Sequence, residues 1–448
     1  MPRKGKMRML AMWHPPGSHT AGWRMPDAPK RSETTFKYFV DVARLCEAAK
    51  FDALFFADVA VTQSIDLLEA GDPNAGYFSR AVSLEPMSLL PALAAVTSKI
   101  GLVATGSTTY SDPYTIARRF AAIDQISGGR GAWNLVTSQF EAEAGNYGHD
   151  AHMSHSQRYE RANEFFDVVA ALWDSWAEDA IVEDKETALV FDPNKVRVIN
   201  HQGKYFKVKG PLNEARSPQG RPIVAQAGAS GPGRDIAARV ADIIFSAQSE
   251  IGEARVFYDD VRTLASGHGR NPNDLRILPG IMPIVGRTEA EAREHYLQLQ
   301  SLITDDQALR TLQRISGGVD LRKYPLDGPL PDLPLSNGAQ ARQVRLVETA
   351  RKNNLTLRQA GRWFAESRSH HLVWGSPKTI VDVMQEWYEQ HACDGFCILF
   401  PYYRRGVTDF TELVIPELQR RGLFRTEYEG TTLRANLGLL KPQSHFNA

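Results

Sequence analysis

Cysteine is scarce in this sequence, and neither sign of charge is in excess. The three cysteines among 448 residues are Cys46, Cys393 and Cys397, an odd count in a long chain that is typical of a reducing cytosol. The 52 basic side chains are balanced by 52 acidic ones. Nucleic-acid binding normally depends on a basic excess, so we expect no nucleic-acid partner.

Long apolar runs are also missing. No stretch approaches the roughly 20 apolar residues that a membrane-spanning helix needs, so we expect no membrane association. The basic N-terminus, MPRKGKMRMLAMW, has an apolar part that is too short for a signal peptide. These absences predict a cytoplasmic protein of ordinary globular composition, with 43% hydrophobic residues.

Several well-known catalytic motifs are absent as well. The sequence has no G-x-S-x-G nucleophile elbow, no G-x-x-x-x-G-K-[ST] phosphate loop and no H-E-x-x-H zinc motif. His149, His152 and His155 lie close together, but without the spacing to cysteine or glutamate that marks a zinc site, so we expect no metal. No acid, base or nucleophile can be assigned. We therefore expect a bound cofactor to carry the chemistry.

Short apolar strand patterns alternate with helical patterns along the whole chain. The eight strand patterns span 7–13, 52–58, 99–107, 128–138, 221–228, 242–248, 275–286 and 394–400. Continuously apolar strands between helices indicate a parallel sheet that is covered by helices. Eight such units without a clear linker predict one (β/α)8 TIM barrel domain over 1–448. An open doubly wound sheet is the alternative, although no G-x-G-x-x-G follows the first strand.

Two segments interrupt this alternation, and a tail follows it. Segment 177–220 resembles a hairpin that turns near His201–Gly203, and segment 316–370 is rich in glycine, proline and charge. We expect both to be insertions in βα connections, where they would build or cover a site, with 316–370 as the lid. The C-terminal tail spans 424–448.

Polar residues follow the apolar strands where catalytic residues of a barrel lie. The second strand ends in Asp58, and the fourth, GGRGAWNLVTS (128–138), carries Trp133, Asn134 and Ser138. Asp58 is either a loop cap or a ligand contact. Asn134 either contacts a ligand or ties neighbouring strands together, whereas Trp133 is expected to pack against helices. Neutral hydrogen-bonding residues at successive strand ends indicate a polar ligand with many donors and acceptors.

Two helix starts have the features of an anion site. Ser154 and Gln157 form an S-x-x-Q capping box, which places His155 and Tyr159 on one face of the first helical turns. The stretch GASGPGRD, which contains Ser230, leads into another helix through small residues that let backbone N–H groups approach a phosphate. The alternatives are a surface histidine with satisfied hydrogen bonds and an ordinary glycine-rich turn.

Several long motifs resemble a known family. They include LEPMSLLPALAAVTSKIGLVATGSTTYSDPYTIARRFAAIDQISGGRGAWNLVTS, SHSQRYERANEFFDVVAALWDSW and RPIVAQAGASGPGRDIAARVADIIFSAQ. They are similar to the nitrilotriacetate / dibenzothiophene-sulfone monooxygenase family, a branch of the bacterial-luciferase-like flavin monooxygenases. The resemblance runs from about residue 7 to residue 440. It implies a (β/α)8 barrel and these FMN-binding residues: Asp58, Thr105, His155, Tyr159 and Ser230, with Asn134, Ser138, Gly228 and Ala229 as further candidates.

The resemblance also implies a reaction and partners. A separate NAD(P)H:flavin reductase would supply reduced FMN, which would react with O2 to form a flavin (hydro)peroxide that oxygenates a small organic substrate. Family substrates range from aminopolycarboxylates, cleaved at C–N, to aryl sulfones, cleaved at C–S. A carboxylate-rich substrate would need an arginine or lysine cluster, and an apolar one would need residues such as Trp13, Phe56 and Trp374. A homo-oligomer, dimer or tetramer, is also expected.

Two alternatives to this function remain. The first is a deazaflavin-dependent oxidoreductase with the same barrel, and the second is a flavin-binding protein without catalysis.

Overall fold

One parallel sheet organises the chain in the computed structural model, which describes residues 3, 5–72, 75–76, 81–444 and 446. In chain order the strands are β1 Arg8–Met12, β2 Ala53–Phe56, β3 Gly101–Ser107, β4 Gly131–Val136, β5 Ile181–Asp184, β6 Leu189–Phe191, β7 His201–Gln202, β8 Lys207–Val208, β9 Ile223–Gln226, β10 Ile243–Ser246, β11 Arg276–Val285, β12 His371–Gly375 and β13 Gly395–Leu399. Eight of them close a ring in the order β1-β2-β3-β4-β9-β10-β11-β13. Because β13 pairs with β1, the predicted barrel is confirmed and the open sheet is excluded.

The long strand β11 has three neighbours along its length. Residues 276–279 pair with β10, residues 280–281 with β13 and residues 281–285 with β12. The strand β12 lies outside the eight-membered ring and is missing from the strands predicted by sequence. Its sequence, HLVWG, is short, begins with histidine and is only partly buried, so it lacks the continuous apolar pattern of the others.

Helices cover the outside of the ring and extend over one end. They are α1 Phe36–Ala48, α2 Ile65–Glu69, α3 Pro86–Ala94, α4 Pro113–Ser127, α5 Glu143–Asn146, α6 His155–Trp173, α7 Gly231–Val240, α8 Ile251–Gly267, α9 Glu289–Ser301, α10 Asp305–Gln313, α11 Gln340–Lys352, α12 Leu357–Ser367, α13 Pro377–Glu389, α14 Arg405–Asp409, α15 Ile415–Arg420 and α16 Leu433–Asn436. The S-x-x-Q capping box predicted at the start of α6 is present. Within the described ranges, no helix is long and apolar enough to cross a membrane.

Trp133 shows how a barrel strand is held against the helices. Its side chain is fully buried on the outer face of β4, and its ring lies 5.9–6.1 Å from the rings of Phe120, Phe165 and Trp173. The indole Nε1 donates to the carbonyl oxygen of Gly106 at 3.0 Å, which satisfies its polar atom. The predicted packing role of Trp133 is confirmed.

The C-terminal tail closes the amino-terminal end of the barrel. Leu433 and Leu437 belong to the same buried cluster as the side chains inside the ring. Arg425 of this tail forms an ion pair with Asp52 at 2.7 Å, and both side chains are fully buried. Asp52 also accepts a hydrogen bond from the backbone N–H of Met9 at 2.6 Å, so the pair joins the tail to the start of β1.

The segment 177–220 lies at the opposite end of the barrel from the position that the sequence predicts. It follows α6 and precedes β9, so it is an αβ connection at the amino-terminal end of the barrel, and the prediction of a βα insertion is wrong for it. Gln219 donates to the carbonyl oxygen of Gly131, at the beginning of β4. The predicted hairpin exists as β7 and β8, with a second hairpin formed by β5 and β6.

Candidate active site

A large cavity lies at the carboxyl ends of the barrel strands. Its volume is about 2290 Å³, and the ends of β2, β3, β4, β9 and β10 form its floor. Segment 316–370 lines it from above, as predicted, whereas none of the fully described residues 177–220 does so. The cavity wall includes all nine residues that the sequence proposes for flavin binding, Asp58, Thr105, Asn134, Ser138, His155, Tyr159, Gly228, Ala229 and Ser230. Their individual roles stay predictions.

Two helix N-termini converge on one part of this wall. His155 is the first residue of α6 and Ser230 is the N-cap of α7, and their Nε2 and Oγ atoms are 3.5 Å apart. The ring of Tyr159 lies 4.8 Å from that of His155. Because helix N-termini present free N–H groups and partial positive charge, this corner favours an anion. Burial, followed by the charge of Arg158, lowers the pKa of His155, which favours the neutral imidazole.

Glycines allow a close backbone approach beside this corner. A Cβ atom on Gly228 would lie 2.7 Å from the Cα of Gly233. A Cβ atom on Gly233 would lie 3.0 Å from both the Tyr159 hydroxyl and the Ser230 hydroxyl. A larger residue at Gly228 would therefore distort the β9–α7 turn, and one at Gly233 would also push this turn away from Tyr159 of α6.

Thr105 joins the ends of three strands. Its hydroxyl donates to the carbonyl oxygen of Phe56 at 3.0 Å and accepts from the Asp58 backbone N–H at 3.2 Å. It also accepts from the Asn134 side-chain amide at 2.8 Å. Asn134 therefore connects β4 to β3, which is one of the two roles predicted for it. Its buried Oδ1 has no hydrogen-bond partner among the described residues and is left for a ligand donor.

Ser138 is engaged within the cavity wall. Its backbone has a φ of 55°, in the left-handed region, directly after β4. Its hydroxyl lies 2.9 Å from the Ser107 hydroxyl and donates to Glu143 at 3.1 Å. Glu143 is buried and also accepts backbone N–H groups from Ala60 and Phe140. Ser138 therefore holds the loop after β4 in place, and its hydroxyl is less available to a cofactor than that of Ser230.

Asp58 is the carboxylate of the cavity with a perturbed pKa. Burial raises the pKa of Asp58 to about 6, and the charges of Glu85 and Glu143 add to this increase. The Ser83 hydroxyl, 3.5 Å away, favours the ionised form and works in the opposite direction. The Asp58 carboxyl can therefore take up or release a proton near pH 6 at the edge of the strand ends.

This shift predicts a pH-dependent stability difference. Because the folded-state pKa of Asp58 lies above the unfolded value near 4, its stabilising contribution is present below pH 4 and is lost as pH rises through 6. We expect Asp58→Asn to raise the free energy of unfolding at pH 8 by about 1–3 kcal/mol and to change it little near pH 4. Urea unfolding at both pH values measures this. An equal difference at the two pH values would contradict the assignment.

Arg158 and Asn337 are site residues that the sequence reasoning did not identify. The buried Arg158 guanidinium donates to the carbonyl oxygen of Asn337 at 2.7 Å. The Asn337 side-chain oxygen accepts from the His155 backbone N–H at 3.0 Å. These contacts hold segment 336–338 at the start of α6. The Asn-Gly pair at 337–338 indicates a turn. Nothing in the sequence relates this turn to a helix more than 160 residues earlier.

Two more arginines, Arg314 and Arg342, line the cavity and were also not predicted individually. Trp13 and Phe56, named as candidates for an apolar substrate, do line it. Trp374 is not part of the cavity wall. Its ring stacks on the ring of Tyr296, with 6.0 Å between the two centroids. Within the described part of the chain, no group of three or more histidine, cysteine, aspartate or glutamate side chains could hold a metal ion.

Known proteins are similar to this chain in sequence and in fold over nearly their full length. The profile of the family described as "Luciferase-like monooxygenase" matches residues 9–394. N-acetyl-S-(2-succino)cysteine monooxygenase of Bacillus subtilis (strain 168) is 46% identical over 432 residues, covering 96% of each chain. Nitrilotriacetate monooxygenase component A of Aminobacter aminovorans is 43% identical, covering 96% of this chain and 95% of that protein. The solved structure of riboflavin lyase with modified FMN and riboflavin has a TM-score of 0.87 and 30% identity, covering 98% of this chain and 97% of that one.

Proposed function

This chain belongs to the luciferase-like monooxygenase family, and from this premise we propose that it is a two-component flavin monooxygenase. In this proposal, a separate NAD(P)H:flavin reductase delivers reduced FMN, and the protein uses O2 to oxygenate a small organic substrate. The observation that carries the proposal is the convergence of His155 and Ser230, at two helix N-termini, on the wall of a large cavity. This corner suits the phosphate of FMN.

The remaining cavity wall fits the rest of FMN. Asn134 Oδ1, Ser246 Oγ and Gln248 Oε1 are buried at strand ends and have no hydrogen-bond partner among the residues that the structure describes. An isoalloxazine ring and a ribityl chain carry both donors and acceptors, which such atoms can satisfy. We therefore assign the phosphate to His155, Tyr159 and Ser230, and the ring and ribityl chain to the strand ends.

The protein's own part in the reaction is binding, orientation and exclusion of water. When bound, reduced FMN supplies the electrons that activate O2 for transfer of one oxygen atom to the substrate. Phe55 and Phe245, whose ring centroids are 5.9 Å apart, give the cavity floor an apolar surface. This surface and the segment above it limit the access of water. The Asp58 carboxyl oxygens can take up or release a proton near pH 6.

The partner and the assembly are also proposals. The name "component A" of the Aminobacter relative refers to a system with more than one component, which supports a separate reductase. A homo-oligomer and a cytoplasmic location stay predictions. Sedimentation velocity tests the first: a dimer or tetramer at micromolar concentration is expected, and a monomer would contradict it.

Rapid mixing of the reduced FMN complex with oxygenated buffer tests the proposed function. We expect reduced FMN to bind, and we expect its reoxidation to be slower and to release less hydrogen peroxide than that of free flavin, because the cavity limits water access. Reductase, NADH and FMN then complete the turnover assay with candidate substrates. Failure to bind reduced FMN would falsify the proposal. Reduction of a deazaflavin by substrate would favour the first alternative, and stable binding of oxidised flavin without oxygen chemistry would favour the second.

A further inference from the structure

Two arginines face the cavity from the segment that covers it. Arg314 directly follows α10, and Arg342 lies in the first turn of α11. Both side chains are half-buried. The Arg314 guanidinium lies 4.9 Å from the centre of the Phe140 ring, which orients it by a cation–π contact. We call residues 314–345, which include both arginines and Asn337, the cover.

Three other arginines on the cavity wall have partners. Arg158 donates to carbonyl oxygens, including that of Asn337. Arg234 forms an ion pair with Asp260 at 3.2 Å, and Arg345 forms one with Glu253 at 2.7 Å. These three side chains are therefore occupied in holding the wall together.

Arg314 and Arg342 differ from these residues in their surroundings. No carboxylate of the described ranges forms an ion pair with either of them. Burial and the neighbouring charge of Arg342 lower the pKa of Arg314 to about 10, and burial alone lowers the pKa of Arg342. Two cations on the wall of one cavity that are partly withdrawn from water, without a carboxylate partner in the described chain, are unfavourable for the folded protein. An anionic group that contacts them would reduce this unfavourable energy.

We propose that Arg314 and Arg342 bind a carboxylate group of the substrate, so the protein oxygenates an anionic organic acid and not a neutral sulfone or hydrocarbon. This inference rests on the proposed function and specifies its substrate class. Planar guanidinium groups match carboxylates in geometry and hold them by charge-assisted hydrogen bonds. The apolar floor near Phe55 and Phe245 receives the uncharged part of the molecule, and the carboxylate lies at the cover.

The phosphate of FMN is also an anion with oxygen acceptors that arginine can bind, so it is the competing occupant. The corner at His155 and Ser230 already provides two helix N-termini and neutral donors for that phosphate. Arg314 and Arg342 lie at the end of α10 and the start of α11, and the cover contacts that corner through Asn337, which accepts from the His155 backbone N–H. The assignment of the arginine pair to substrate leaves each anion with its own set of donors.

Binding and turnover of matched probes test this proposal. The probes are nitrilotriacetate, N-acetyl-S-(2-succino)cysteine, the methyl esters of both, and dibenzothiophene sulfone. In the wild-type protein, at least one of the two acids should bind by calorimetry without flavin and should be oxygenated in the reductase-coupled assay. Its methyl ester should lose at least about 10-fold in kcat/KM, as expected when a charge-assisted contact is removed.

The variants are Arg314→Met, Arg342→Met and, as a control on the same helix, Arg345→Met. We expect the first two to raise the KM and Kd of the acid by about 10- to 30-fold with little change in kcat, because they remove binding that is present before the reaction. Arg342→Lys should recover part of the loss. Arg345→Met removes the same charge from the cavity wall but should change the KM less than about 3-fold, since Arg345 is paired with Glu253.

Three results would overturn the proposal. The first is an equal preference for the neutral sulfone or the esters. The second is that neither acid binds more tightly to the wild-type protein than to the two variants. The third is that the variants weaken the binding of reduced FMN but not of reduced riboflavin, which would assign the arginines to the flavin phosphate. If the wild-type protein binds an acid through these arginines but no reduced flavin, the proposed function fails while the anion site stands.

Discussion

Replacing Arg425 by methionine is expected to lower the free energy of unfolding by about 3–5 kcal/mol, because it leaves a buried carboxylate without its counter-charge. Arg425 and Asp52 are both fully buried, with 2.7 Å between the guanidinium and the carboxylate. The same guanidinium donates to the carbonyl oxygen of Asn436, so it also holds the tail in position. Urea denaturation at pH 7 measures the loss.

Two further variants separate the lost ion pair from the lost packing. Arg420→Met removes an exposed arginine that forms an ion pair with Glu417, and it is expected to have no measurable effect. The double variant Asp52→Asn/Arg425→Met should be more stable than Arg425→Met alone, since the uncompensated charge is gone. A loss in Arg425→Met no larger than that in Arg420→Met would show that the tail is not held by this pair.

The double variant His155→Ala/Tyr159→Phe is expected to bind reduced FMN at least about 100-fold more weakly. Each substitution removes one hydrogen-bond donor to a charged phosphate, and such bonds contribute about 1.5–3 kcal/mol each. Both side chains line the cavity beside Ser230, with 4.8 Å between their rings. Anaerobic titration of reduced FMN, followed by protein fluorescence, gives the dissociation constant.

Riboflavin and a third histidine provide the controls for this variant. Reduced riboflavin has no phosphate, so the double variant should bind it nearly as well as the wild-type protein does. His149→Ala changes an exposed histidine of the same sequence cluster that is not part of the cavity wall and should leave both affinities unchanged. If the double variant loses riboflavin affinity as strongly as FMN affinity, these residues support the ring and not the phosphate.

The sequence was sufficient for the barrel and for one side of its site. All eight ring strands lie within segments predicted from apolar patterns, because strands buried on both faces have continuous apolar runs. The polar residues at their carboxyl ends meet in one cavity because parallel strands end at the same edge. The two helix starts at Ser154 and Ser230 were also predicted, since a capping box and a glycine-rich turn are local signals at helix starts.

The other side of the site depends on contacts between distant segments. The bond from the His155 backbone N–H to Asn337 spans 182 residues, and no local period relates the two. The exposed, irregular segment 177–220 carries no pattern that distinguishes an αβ from a βα connection, so its position at the amino-terminal end was not predicted. The sequence does not distinguish Arg314 and Arg342 from its many other arginines. Their position on the cavity wall, without a carboxylate partner in the described chain, depends on the fold.

The pairing of β1 with β13 has a consequence for biosynthesis. β1 leaves the ribosome first, and its partner Gly395–Leu399 follows nearly four hundred residues later. At typical translation rates of roughly 5–20 residues per second, the ring stays open for about 20–80 s. During that time the edge of β1 and the apolar interior of the incomplete barrel are open to aggregation. Nascent and prematurely terminated chains are therefore expected to be clients of chaperones and proteases.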